Sequence, residues 1–371
     1  MPTDNLVQGR LTAELQEITA GHFSIESIRF GVPLLRFPHA TRLAGRFLTP
    51  TDEAYDIIAD RARGQGTLIF FRSEGDEQVI YAANGAMPTA PVRYHLAMAL
   101  FVVTLVSVFI TGALQETGPT GALTLNWREG LAYALPLMLI LLAHELGHFF
   151  VARHHRMSVS PPFFIPLPVV SLGTMGAVIV MSAPPKNRRH LLEMGAAGPL
   201  AGLLFAIPIL LIGLSQSTVG PAPTQPYMQE GNSLLYMGLK FLMFGQLLPS
   251  HGMDVQLSSL AFAGWVGLLI TALNLIPAGQ LDGGHAAFTL FGQRIRPLTW
   301  VLIAAMIGLA VLTQFWGWLL WAVLLFFFGF VYAVPMDDLT PLDGKHKALA
   351  AFVLVLAVLL FMAVPLQAIT P

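Results

Sequence analysis

The chain has 371 residues, of which 55% are hydrophobic and only 11% charged, with a formal net charge of −1. A soluble domain is about one-quarter charged, so much of this chain must face lipid or other buried helices. The net charge says nothing about nucleic acid, but no long basic run exists that could track a phosphate backbone. The absence of cysteine excludes disulfides, thiolate metal sites and cysteine nucleophiles, so any transition-metal site must use His, Asp and Glu.

In chain order, Met1 to Gly21 is polar, carries Asp4, Arg10, Glu14 and Glu17, and has no apolar core of a cleavable signal peptide. The reading is a bacterial or archaeal membrane protein. Residues 1–93 read as a small soluble α+β domain with its linker. His22 to Phe37 holds β-branched and aromatic strand positions. A helix through Glu53 to Ile58, capped by Thr49 or Thr51, is expected to end near Gly64 or Gly66. Thr67–Phe71 and Gln78–Tyr81 flank Gly75 as a hairpin. Met87 to Pro91 links this module to the remainder.

Residues 94–371 read as a polytopic α-helical membrane domain. Apolar runs near the ~20 residues that cross a bilayer fall at about 94–114, 131–152, 191–214, 258–276, 298–315, 318–334 and 348–366, or about seven transmembrane helices. The fifth and sixth separate at Gln314 to Gly317. Leu234 to Leu248 is apolar but contains Lys240, and reads as interfacial. Arg153, Arg156, Lys186, Arg188, Arg189, Arg294, Arg296, Lys345 and Lys347 all fall in alternate loops. The positive-inside rule then places those loops and the N-terminal domain in the cytoplasm and the C-terminus outside.

The second run ends in His144-Glu145-Leu146-Gly147-His148. Four-residue spacing on a helix brings both imidazoles to one face, one turn apart, where they can share a metal ion. Glu145 is placed to take a proton from metal-bound water. His-Glu pairs at this spacing also arise by chance in soluble proteins. Here the preceding run, Leu131 to Ala143, has no charge, and each strongly polar group at a helix centre costs about 2.5–3.5 kcal/mol on insertion scales. A bound metal would compensate that cost. A catalytic zinc takes a third protein ligand and keeps one position open. After Leu273-Asn274-Leu275-Ile276, the stretch Pro277-Ala-Gly-Gln-Leu-Asp282-Gly-Gly-His285 offers both Asp282 and His285, and spacing does not choose between them. The same Asp-Gly-Gly is also ordinary turn chemistry. Irregular backbone at membrane depth is tolerated where it lines a cavity or is buried in protein.

These two motifs, His144-Glu-Leu-Gly-His148 and Asn274 through Leu281-Asp282-Gly283, resemble the site-2 protease family over about 130–290. The resemblance implies a three-helix catalytic core with a short membrane-dipping β segment. It implies one zinc ion per chain on His144, His148 and Asp282, Glu145 as general base, and Asn274 holding substrate or the reacting carbonyl. His285 then becomes a supporting group. Gly173-Thr-Met-Gly-Ala-Val-Ile179 is similar to the family's β segment, onto which an extended substrate could add as a strand. Gly195-Ala-Ala-Gly198-Pro-Leu-Ala-Gly202 is similar to its glycine-rich third core helix, with a packing role only. The implied activity is hydrolysis of peptide bonds in or near transmembrane segments of membrane proteins, within the lipid bilayer of a bacterial plasma membrane.

Some features depart from the family or stand apart from the motifs. The Ser215–Leu257 loop is too short for a PDZ domain, and no CBS pair follows the last span. Pro335 to Asp343 fits no motif. His154, His155 and His190 lie in basic stretches and read as interfacial groups rather than ligands, and His346 lies in a short basic turn. The rival reading is a membrane zinc-binding protein or metal transporter. A transporter needs polar ligands strung across several spans, whereas here the candidates converge on two.

Overall fold

The computed structural model describes residues 2–34, 37–85, 87, 93–117, 122–168, 172–222 and 227–369. The expected linker at 87–91 lies, apart from Met87, outside them. The chain divides into two compact units.

The first unit contains residues 1–89, 182–191 and 334–343. It opens with α1 (Pro2–Thr19), β1 (Phe23–Leu34), β2 (Phe37–Phe47), α2 (Thr51–Arg63), β3 (Thr67–Glu74) and β4 (Glu77–Asn84). The strands form an antiparallel sheet in the order β1-β2-β4-β3. Leu15 and Ile18 of α1, and Tyr55 and Ile58 of α2, bury against Leu43, Phe71 and Ile80. Helix α2 has Asp52 and Glu53 in its first turn and Arg61 and Arg63 in its last, the charge order that the helix dipole favours. Neither expected threonine caps it: Pro50 holds the N-cap position, and Thr51 is already helical. The β3–β4 hairpin turns at Gly75, whose φ of +63° suits glycine.

Two later segments complete this unit. Phe71 N–H donates to Met336 O at 2.9 Å, and Asp338 N–H to Phe71 O at 3.2 Å. Met336 N–H and Asp337 N–H donate in turn to Pro185 O (2.8 Å) and Lys186 O (2.7 Å). The bridges Phe71↔Asp337 and Asn187↔Asp337 are parallel, so the sheet grows outward from β3 by two short extended pieces. Arg72 fastens the first by donating to the carbonyls of Pro335 and Met336. Arg188 fastens the second through Asp338 at 2.9 Å. Within Pro335 to Asp343, which has no motif in the sequence, residues 336–338 are therefore sheet-edge structure.

The second unit contains residues 90–181, 192–333 and 344–371. Its elements are α3 (Tyr94–Ala113), the small pair β5 (Leu114–Thr117) and β6 (Ala122–Leu125), α4 (Trp127–His154), β7 (Phe163–Leu167) and β8 (Gly173–Val178). Helix α5 (Arg188–Ser215) begins in the first unit and continues in the second. Then come β9 (Thr218–Pro221), β10 (Tyr227–Glu230), α6 (Leu234–Phe244), β11 (Met253–Gln256), α7 (Ser259–Asn274), α8 (Asp282–Phe291), α9 (Arg296–Thr313), α10 (Gly317–Phe328), α11 (Gly344–Leu360) and β12 (Leu366–Ile369).

Among the described residues, four helices are long and apolar enough to cross a membrane: α3, α4, α5, and α8 continued through a 3₁₀ turn into α9 (Asp282–Thr313). Helices α6, α7 and α10 are apolar but shorter. This fits a membrane protein. The expected break after the fifth run is present, with Gln314 left-handed at the end of α9. The last expected run is cut short: α11 stops at Leu360, and β12 pairs with β10.

Lys240 lies in α6, within the stretch expected to be interfacial. It is fully buried, 3.9 Å from Glu230 and 3.8 Å from Asp254, with its Nζ 4.7 Å from the centre of the Tyr236 ring.

Candidate metal centre

Helix α4 starts at an Asn126 cap, whose side chain accepts from Arg128 N–H, and runs through the apolar stretch to His144, Glu145 and His148. All three are buried, at 3%, 4% and 9% exposure. Asp282 comes from a separate helix, α8. Helix α7 ends at Asn274, and the chain turns through Leu275–Leu281 before α8 opens at Asp282. Gly279 adopts φ +56° in this turn. Side chains at Gly283 or Gly284 would collide with the carbonyls of Leu275 and Ala278. The glycines thus let the first turn of α8 fold tightly onto the loop and bring the Asp282 carboxylate inward.

The ligand atoms converge. His144 Nε2 and His148 Nε2 are 3.2 Å apart. Asp282 Oδ2 is 3.2 Å from His144 Nε2, and Oδ1 is 3.3 Å from His148 Nε2. Ligands at 2.0–2.1 Å from a tetrahedral ion are about 3.3 Å from one another, so the donor set fits a divalent metal. Nitrogen and carboxylate donors with no thiolate suit zinc chemistry. Among the described residues, this is the group whose ligand atoms all lie within 4.8 Å of one another. His285, the other candidate from spacing, is buried with its side chain against Gly195 and lies outside the group.

Helix α5 supplies what the sequence does not announce. His148 Nδ1 donates to Met194 O at 2.7 Å. This bond orients the ring and leaves Nε2 for the ion, the arrangement that metal-binding histidines adopt. The glycine-rich stretch forms the wall of the site: a methyl group at Gly198 would overlap the Nε2 end of His148, and one at Gly202 would come within 3.2 Å of His144 Nδ1. On α4, a methyl at Gly147 would stand 2.5 Å from Ala197 O. The glycines therefore have a role beyond helix packing. Periodicity reveals small residues on a face, but not that the imidazoles lie opposite.

Asn274 Nδ2 is 3.3 Å from His144 Nε2, so this side chain borders the ligand group. Strand β8 covers 173–178 of the expected 173–179 segment and pairs antiparallel with β7. It is anchored by Ser107 Oγ, which donates to Gly173 O at 2.7 Å, and by Tyr133 OH, which donates to Leu172 O at 2.9 Å. Gly176 lies beside Ile270 of α7, one turn before Asn274. The grouped basic-stretch histidines resolve in part: His155 and His346 both bind Glu193.

Residues 132–315 match the family model for peptidase family M50. The chain is 34% identical over 242 residues to the probable zinc metalloprotease EGY2, chloroplastic, of Arabidopsis thaliana, covering 64% of this chain and 42% of that protein. It is 30% identical over 230 residues to the probable zinc metalloprotease EGY1, chloroplastic, of Oryza sativa subsp. japonica, covering 56% and 39%. The chain thus spans about two-fifths of the length of these relatives. Among solved structures, the site-2 protease from Methanocaldococcus jannaschii aligns at 18% identity with a TM-score of 0.32, over 63% of this chain and 87% of that one.

Proposed function

Because the chain belongs, through residues 132–315, to peptidase family M50, we propose that it is an intramembrane zinc metalloendopeptidase acting on transmembrane segments of membrane proteins. The observation that carries this reading is the convergence of His144, His148 and Asp282, with Glu145 buried in the next position, inside an apolar helix. His144, His148 and Asp282 would hold the ion. When bound, zinc supplies Lewis acidity: it polarises a carbonyl and makes water acidic enough to lose a proton near neutral pH.

The chain's own residues do the rest. Glu145 takes the proton from the attacking water and passes it to the leaving amine. Asn274, beside His144, donates an N–H to the substrate carbonyl oxygen. A substrate helix hides its peptide bonds in its own hydrogen bonds and must unwind locally. The opened segment then lies along β8 as an added strand. In this reading all seven apolar runs cross the membrane. The lysine and arginine distribution supports residues 1–93 on the cytoplasmic side of a multi-pass protein, which in this reading belongs to a bacterial plasma membrane.

The test is Glu145→Gln in the full chain, reconstituted with a model transmembrane peptide. Cleavage is expected to fall by about 10²–10⁴-fold, the range that general acid–base groups contribute, with bound zinc retained. Undiminished cleavage by that variant overturns the assignment.

A further inference from the structure

We propose that Glu193 is a positioning residue for the metal centre, holding the start of α5 so that the Met194 carbonyl meets His148. The inference rests on the metal reading above and adds a residue to it. Glu193 Oε2 accepts from His155 Nε2 at 2.5 Å, and Oε1 accepts from His346 Nε2 at 2.7 Å. An ionised carboxylate only accepts, so each imidazole presents its Nε2–H to a separate oxygen. The side chains are largely shielded, at 14%, 28% and 16% exposure for His155, Glu193 and His346. Shielding makes such charge-assisted bonds stronger than their exposed counterparts.

The carboxylate ties three elements at one point. His155 caps the C-terminus of α4, Glu193 lies near the start of α5, and His346 lies in the first turn of α11. The helical repeat links this clamp to the metal ligands. His155 follows His148 by seven residues, about two turns at 3.6 per turn, and so continues the face that carries His144 and His148. On α5 the clamp and the site are one peptide apart: Glu193 binds His155, and the carbonyl of the next residue binds His148 Nδ1. Two bonds therefore fix α5 against α4, and the inner one holds a metal ligand. Composition singles out the same residue. Within 150–157, 192–197 and 344–348, Glu193 is the only acid among Arg153, Arg156, Lys345, Lys347 and three histidines. Without it the end of α4 and the start of α11 lose their shared anion, and the Met194 carbonyl loses its lateral anchor.

The test uses the full chain in detergent with Co²⁺ as the probe, read by competition affinity and by the visible d–d bands that report ligand geometry. Glu193→Ala is expected to weaken Co²⁺ binding about 10–100-fold, the usual effect of losing support around a ligand, and to shift the bands. Glu193→Gln, which keeps one oxygen acceptor, should fall between. Adding His155→Ala to Glu193→Ala should weaken binding no further, because both remove the same bond. A folded Glu193→Ala protein with wild-type affinity and spectrum overturns the proposal. Should Glu193→Ala not fold, His155→Ala and His346→Ala each remove one bond and leave the carboxylate in place; unchanged Co²⁺ binding in both overturns it equally. A wild-type chain that binds no Co²⁺ overturns the metal reading itself, and the positioning role with it.

Discussion

The His144–His148–Asp282 cluster and the Lys240–Glu230–Asp254 cluster are both buried in the second unit, and they balance charge in different ways. In the first, two imidazole nitrogens and the oxygens of one carboxylate face one another at 3.2–3.3 Å. Acceptors converging in an apolar setting repel unless a cation or a proton stands between them. In the second, the cation is part of the chain. Lys240 Nζ lies 3.8 and 3.9 Å from its two carboxylates, without a hydrogen bond to either. The carboxylates are also served by neutral donors: Tyr236 OH to Glu230 at 3.0 Å and Gln229 to Asp254 at 2.6 Å. Burial pushes the Glu230 carboxyl above its usual range, and Lys240 pulls it back. The donor–acceptor count, more than burial or charge number, separates a metal site from a structural ion cluster.

That contrast can be broken by substitution. The largest expected effect is His148→Ala, which should remove bound metal altogether while Lys240→Met leaves it in place; metal analysis of the purified proteins checks both. Lys240→Met should instead cost about 3–5 kcal/mol of stability, since losing one partner strands a buried charge. Replacing all three members, Lys240→Met with Glu230→Gln and Asp254→Asn, should recover most of that, as denaturant unfolding in micelles would show. Gly198→Ala should act on the metal site through shape alone. Overpacking costs about 1–3 kcal/mol, and because the added methyl meets His148 it should appear as weaker metal binding. The smallest effect belongs to Arg42→Met in the first unit, where Arg42 meets Glu74 at 2.8 Å and Glu77 at 2.6 Å. Both carboxylates are substantially exposed, so the loss should be about 1 kcal/mol. A loss as large as that of Lys240→Met would show that burial of the carboxylates does not set the scale.

Much of the second unit is legible in the sequence because its signals are local. A run of apolar residues and a four-residue His spacing need no knowledge of neighbours, so α4 and the paired histidines on it can be read directly. Asp282 and His285 are alike in spacing alone; the resemblance favours Asp282, and the fold of the 275–281 turn accounts for how it reaches the histidines. What stays hidden is non-local. The Met194 carbonyl has no side-chain signature. Gly198 looks like any small residue on a helix face until His148 is known to lie opposite. The ion cluster of Lys240 is not visible in the sequence because its acidic partners, Glu230 and Asp254, are 10 and 14 residues away on other elements. Residues 335–343 have no periodicity of their own, since a parallel bridge to Phe71 takes its register from a strand more than 260 residues earlier.

That last feature has a consequence for synthesis. Protein chains emerge from the ribosome in order, and domains ordinarily close as soon as their residues are available. Here the sheet edge at β3 waits for Pro185 to Asn187 and then for Met336 to Asp338. The small unit is the first to be translated and among the last to be finished, because most of the apolar helices are made before its final strand appears. A gene encoding only residues 1–89 should therefore yield a sheet with an unpaired edge, and a graft of this unit onto another protein would have to carry all three pieces.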